Sequence, residues 1–131
     1  MKKLFIIVLL ASLGLALHAQ AGYQTMSADT VKGAQTHYIT STSGCPYYGY
    51  VSFDYTIKGF GTGDSAYVQL QGKNQGTTWI DVGSKVGYGS NVAVDKQVTQ
   101  NPSSFLNYRL KITGKTGDTV RVSAPLFIYK R

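Results

Sequence analysis

Glutamate is absent from this sequence, cysteine occurs once, and histidine occurs twice. A single cysteine, Cys45 in "SGCPYYGY", cannot form an internal disulfide, so stability must come from a packed core. Cys45 reads as a buried thiol, because free cysteine packs as a small hydrophobe; an intermolecular bridge is the alternative. All six acids are aspartates, mostly in turns or on polar strand faces, which gives little support to a glycosidase carboxyl pair. His37 is the one histidine outside the N-terminal segment, so a zinc site lacks ligands. A Cys45–His37–Asp arrangement can be drawn, but nothing local supports it. A calcium ion held by Asp64 or Asp118 is weaker than the plain reading of both as turn-capping residues. No catalytic residue, metal or cofactor is therefore expected. Sustained apolar periodicity of 3.6 residues is also missing after the N-terminus, which argues against helices.

What is present begins with "MKKLFIIVLLASLGLALHAQAG". Lys2 and Lys3 form a basic start, Leu4 to Leu17 is almost unbroken apolar sequence, and small residues follow. This is the pattern of a secretory signal peptide. Cleavage after Ala19 or Ala21 leaves a small residue at the cut; Ala21 is preferred because alanine then occupies both key positions. A retained anchor is disfavoured, since a spanning helix needs roughly 20 apolar residues. No cysteine lies near the cut, so lipid attachment is not expected there. The expected organisation is a signal peptide over 1–21 and one domain over 22–131, a size that supports a single core. Removing Lys2 and Lys3 leaves 13 − 2 = 11 basic residues against 6 acids, a net charge of +5. That charge admits an anionic partner such as lipopolysaccharide or another acidic surface. The basic residues are scattered, and no run or motif points to nucleic acid.

Period-two alternation recurs along the domain. In "VSFDYTIKG", Val51, Phe53, Tyr55 and Ile57 share a face. "AYVQLQG" alternates Val68 and Leu70 with Gln69 and Gln71. "LNYRLKIT" sets Leu106, Tyr108, Leu110 and Ile112 against Asn107, Arg109 and Lys111. In "TVRVSAPLFIYK", Val120, Val122, Ala124, Leu126 and Ile128 are expected on one side. "THYIT", "TWIDV" and the weaker "NVAVDKQV" complete about seven strands. Short glycine-bearing breaks and one-sided alternation predict a single antiparallel β-sandwich, with jelly-roll and Ig-like topologies both open. The expected core is Val51, Phe53, Tyr55, Val68, Leu70, Ile80, Leu106, Leu110, Ile112, Val120 and Val122. "IKGFGTGDSAYV" and "ITGKTGDTVRV" repeat one scheme, Ile then glycine then Thr-Gly-Asp then a new strand, and both read as hairpin turns.

"GKT" at Gly114 to Thr116 is not a phosphate loop: Arg109 stands where the earlier glycine belongs, and a strand follows. "GFGTG" at Gly59 to Gly63 opens no helix and is a turn. The ten tyrosines are the compositional oddity, with Tyr47, Tyr48 and Tyr50 within "YYGY". Core and rim packing accounts for them most simply. The other reading makes Tyr47, Tyr48, Tyr50 and Trp79, the one tryptophan, a ligand or partner surface.

"YVQLQGKNQGTTWIDVG", with "NYRLKITG" after it, resembles a hairpin of discoidin-type sandwiches and of small β-sandwich proteins of bacteriophage virions. The turn here reads Asn74-Gln75-Gly76 where those read Asp-Gly, and the front half of a discoidin domain is not recognisable. The leader ending "LHAQAG" is similar to those of exported Bacteroidetes proteins and some of their phages. The resemblance implies a non-enzymatic structural or adhesive module, exported or virion-associated, with Trp79 packing across its turn. A carbohydrate-binding module using exposed aromatics is the alternative. Expected partners are a protein or further copies of the chain, with a glycan or acidic surface as alternatives and no membrane span after the signal. Proline belongs on an edge strand or at a bulge, so Pro125 leads to the expectation that Val120 to Tyr129 lies at or next to a sheet edge and is needed for the fold. Lys130 and Arg131 would guard an edge there, and the edge itself would be a contact if the protein assembles.

Overall fold

A computed structural model describes residues 21–42, 49–76, 78–100 and 105–130. Within them lie nine strands and no helix: β1 (Ala21–Thr25), β2 (Asp29–Lys32), β3 (Thr36–Thr40), β4 (Tyr50–Gly59), β5 (Ser65–Lys73), β6 (Ile80–Gly89), β7 (Val94–Gln100), β8 (Asn107–Gly114) and β9 (Thr119–Lys130). All seven strands expected from alternation are present, as β3 to β9. β1 and β2 are additional; "AGYQT" and "DTVK" are too short and mixed to show a period. Residues 1–20, which hold most of the expected leader, and Cys45 lie outside the described residues.

The strands form two sheets. One runs β1-β9-β4-β7, with β2 also on β9; the other runs β3-β8-β5-β6, and every pairing is antiparallel. The chain changes sheet between most successive strands, and only β5 and β6 are both consecutive and paired. Both Thr-Gly-Asp turns are therefore arches from one sheet to the other, β4 to β5 and β8 to β9, and not hairpins. Their aspartates still cap backbone, as turn chemistry requires. Asp64 Oδ2 accepts from the N–H of Gly61 at 2.7 Å and of Phe60 at 3.1 Å. Asp118 Oδ2 accepts from the N–H and hydroxyl of Ser65 at 2.8 and 2.9 Å, fastening one arch to the other.

The inward faces meet in a core that includes nine of the eleven expected residues. Ile80 and Leu106 are the exceptions. Ile80 is 53% exposed. It opens β6 opposite Gly72, whose inward side is already filled: a Cβ on Gly72 would meet the Phe105 ring at 2.4 Å. Leu106 is half-buried because the chain bends before β8, its N–H donating to the Lys73 carbonyl at 3.2 Å. Tyr108, fully buried, takes the first inward position of that strand. It reaches Phe127 of the opposite sheet at 6.4 Å between ring centroids, and Phe127 packs on Phe53 at 4.8 Å.

The expected face of β9 is wrong after Val122. Asp54 pairs with Leu126 but Thr56 pairs with Ser123, so Ala124 and Pro125 together oppose Tyr55. This is a β-bulge, the setting proline tolerates. The extra residue inverts the alternation. Phe127 is fully buried, while Leu126 and Ile128 pair with the outward Asp54 and Ser52 and are half-buried. The bulge also divides the neighbouring strand: β1 ends opposite Leu126, β2 begins opposite Val122, and Met26 N–H donates to the Pro125 carbonyl at 2.9 Å. β9 is therefore one strand in from the edge, paired on both sides. An edge contact through the C-terminal strand is excluded; the edge is β1 and β2.

Phe127→Ala should cost about 3–5 kcal/mol and Ile128→Ala a small fraction of that, measured by urea unfolding. Equal losses would contradict the phase inversion at Pro125.

Candidate functional site

β8 lies between β3 and β5, and its alternation fixes what their shared outer face carries. Tyr108, Leu110 and Ile112 are buried, so Arg109, Lys111 and Thr113 point away from the core. The register sets Tyr38 opposite Lys111, Gln69 opposite Lys111, Gln71 opposite Arg109 and Asp81 opposite Gln71. Directly paired residues share a face. Arg109, Gln71 and Asp81 thus form a row across three strands, and Tyr38, two residues along β3 from Arg109's direct partner Thr40, extends it diagonally to the fourth.

Arg109 is the centre of that row. Its guanidinium carbon lies 3.8 Å from the centroid of Tyr38 and 4.2 Å from the Trp79 ring, so two aromatic rings flank one planar cation. Its Nε donates to Gln71 Oε1 at 2.8 Å, and Gln71 Nε2 donates to Asp81 Oδ1 at 2.6 Å. Desolvation draws the Arg109 pKa down, while Tyr38 and Asp81 oppose that shift. The group remains cationic at neutral pH, as arginine does in proteins. Lys73 Nζ lies 4.8 Å from the Trp79 ring.

A second cation–aromatic group stands on the same face. Tyr67, opposite Thr113, has Lys85 Nζ 4.0 Å and Lys115 Nζ 5.2 Å from its ring centroid. Lys85 gets there through an irregularity in β6. Val68 pairs with Val86 and Leu70 with Val82, so Gly83, Ser84 and Lys85 all fall opposite Gln69. Gly83 adopts φ +66°, which glycine accepts without a Cβ clash. The Gln69 amide fills the interrupted ladder, donating to the Val82 carbonyl at 2.9 Å and the Gly83 carbonyl at 3.1 Å. That role explains why Gln69, expected on a solvated face, is buried.

Of the expected site residues, the two that are described, Tyr50 and Trp79, do not come together. Trp79 is half-buried on the outer face of the β3-β8-β5-β6 sheet. Tyr50 lies in β4 of the other sheet and alternates with the buried Val51, so it faces the opposite side of the sandwich. Tyr47 and Tyr48 lie outside the described residues. Trp79 packs across its turn onto Lys73 and, beyond it, onto Arg109. Tyr38 and Arg109 were missed as site residues. Alternation in "LNYRLKIT" does place Arg109 outward, but only strand order brings Tyr38 beside it.

Elsewhere, His37 Nδ1 pairs with Asp29 Oδ2 at 2.9 Å. Among the described residues no group of three or more His, Cys, Asp or Glu could hold a metal ion. Among them, too, no helix is long and apolar enough to cross a membrane.

No family model and no curated protein matches this chain. Its fold is similar to that of a family 16 carbohydrate-binding module, at 9% identity over 80% of this chain and 86% of that one, with a TM-score of 0.54. It is also similar to the enzymatically active domain of bacteriophage CBA120 tailspike protein 4, at 10% identity over 84% of this chain and 19% of that one, with a TM-score of 0.53. A chain of infectious bursal disease virus, Gt strain, matches at 8% identity over 86% of this chain and 35% of that one, with a TM-score of 0.51. At such identities the likeness is one of fold: the chain is a β-sandwich of this general kind. The discoidin resemblance of the β5–β6 hairpin rests on the quoted residues alone.

Removing Arg109 should expose Trp79. Arg109→Ala is expected to raise acrylamide quenching of the tryptophan emission and to cost about 0.5–2 kcal/mol in unfolding free energy. Unchanged quenching would mean that the guanidinium does not lie on the indole.

Proposed function

We propose that this chain is a non-enzymatic, exported interaction protein whose contact surface is the outer face of the β3-β8-β5-β6 sheet. The observation that carries this reading is the Arg109 guanidinium held between Tyr38 and Trp79 on a rigid sheet face. A surface arginine is normally free to rotate. This one is fixed by two rings and a side-chain amide, which reduces the ordering cost on binding. Tyr, Trp and Arg are also the residues that dominate contact energies.

Two versions of this reading compete, a structural protein of a virion or cell surface and a carbohydrate-binding module. The fold likeness is neutral between them, since it includes both a carbohydrate-binding module and a tailspike domain. The site favours the glycan. Its aromatic groups are joined to hydrogen-bonding Gln71 and Asp81 along the sheet, and they are not gathered into an apolar patch of the kind that seals a protein interface. Apolar residues that are exposed elsewhere, such as Tyr23, Phe60 and Val92, do not extend this row.

The test is a glycan array probed with the mature domain, with its molar mass measured by light scattering. Glycan binding should be retained in Tyr50→Ala and lost in Tyr38→Ala and in Trp79→Ala. A defined oligomer that binds no glycan would favour the structural version instead.

A further inference from the structure

The two outer faces of the sandwich differ in charge. On the β4–β9 side, Asp54 and Asp95 stand with Lys32, Lys58 and Arg121, two acids against three cations, because Thr56 pairs with Asp95, Asp54 with Gln97, Lys58 with Arg121, and Lys32 alternates with the buried Val31 along β2. On the β3-β8-β5-β6 side, Lys73, Lys85, Arg109, Lys111 and Lys115 stand with Asp81 alone. The basic residues are spread over both sheets, but only on this face do they outnumber the acids strongly.

The rings on this face hold cations. Trp79 has Arg109 and Lys73 against it, and Tyr67 has Lys85 and Lys115. Cations already packed against these rings make them poorer platforms for the stacked bases that single-stranded nucleic acid requires. What the rings present is charge in fixed positions. Among the described residues, the Arg109 guanidinium makes one hydrogen bond, through Nε to Gln71. Its two terminal nitrogens keep their N–H groups for a ligand, in the planar fork that matches a carboxylate. The second group, at Tyr67, lies four residues along β5 from Gln71, about 13 Å at the rise of a strand. Two fixed cationic stations at that separation suit a chain carrying repeated carboxylates better than one small anion.

We propose that this face binds an acidic polysaccharide through its uronate carboxylates, with Arg109 as the carboxylate fork and the lysines around Tyr67 as a second station. The inference rests on the reading of this face as a glycan-binding surface and names the glycan's class. Asp81 sits behind Gln71 and anchors the fork, so it opposes the carboxylate less than a residue beside Arg109 would.

The test is isothermal titration of the mature domain with polygalacturonate oligomers, neutral galactan oligomers of equal length, and single-stranded DNA. Polygalacturonate should bind. Arg109→Gln should weaken it at least about tenfold, Arg109→Lys should restore only part of that, and Lys111→Gln should weaken it less. Lys58→Gln with Arg121→Gln on the opposite face should have little effect, and added salt should lower the affinity. Cooperative unfolding and an unchanged far-ultraviolet circular dichroism spectrum confirm that these variants fold. If neutral galactan binds equally well and Arg109→Gln is silent, the acidic class is wrong although the binding face stands. Equal losses from substitutions on both faces, or DNA binding as tight as polygalacturonate, would overturn the carboxylate fork. Binding of none of the three would overturn the glycan reading as well.

Discussion

The strict alternation of β8 links the core to the surface. This strand is bonded on both sides, to β3 and to β5, so its register is doubly set. Its even-numbered residues, Tyr108, Leu110 and Ile112, are fully buried, and its odd-numbered Arg109 and Lys111 stand outside. A slip of one residue would put a guanidinium and an ammonium into the core and lift three large apolar side chains into water. An unpaired buried charge costs several kcal/mol, so the slipped form is not competitive. The packing that keeps the fold without any internal disulfide is thus the same constraint that aims Arg109 at Tyr38 and Trp79.

Two irregularities then adapt a regular sandwich to this surface. The Ala124–Pro125 bulge turns Phe127 inward, where it meets Phe53 and Tyr108 and joins the sheets. Without the inversion, Leu126 and Ile128 would face the core and the aromatic contact between sheets would be lost. The bulge in β6 acts outward. It throws Lys85 onto Tyr67, and its broken ladder is satisfied by the Gln69 amide. Buried carbonyls left unmatched would cost about 1–3 kcal/mol each, so Gln69 is a structural residue although it points to the polar side. The β6 bulge also interrupts an edge strand, which discourages pairing with another chain.

Much of this was legible in the sequence. The strands β3 to β9, the all-β class and most of the core follow from period two and need no tertiary information. Pro125 was a visible signal of a bulge or edge, but its effect on Phe127 and Ile128 depends on how many residues oppose Tyr55, which sequence does not give. The Thr-Gly-Asp turns looked like hairpins because aspartate capping is the same whether the next strand pairs with the last one or crosses to another sheet. The row Tyr38–Arg109–Gln71–Asp81 draws one residue from each of four strands separated by up to 71 positions (109 − 38). Its members share no local pattern, and only the order β3-β8-β5-β6 makes them neighbours. The tyrosines of "YYGY" drew attention because they are adjacent in sequence, yet Tyr50 lies across the sandwich from Trp79.

Recognition as proposed rests on one sheet face and on one fixed cation. The most direct measurement is a map of chemical-shift changes when isotope-labelled mature protein is titrated with oligogalacturonate. The largest changes should fall on the Trp79 indole N–H, the Arg109 Nε–H and the amides of β8, with the Asp54 and Asp95 side of the sandwich unaffected. A map centred on Asp54, Asp95 and Tyr50, or confined to the two arches, would contradict it.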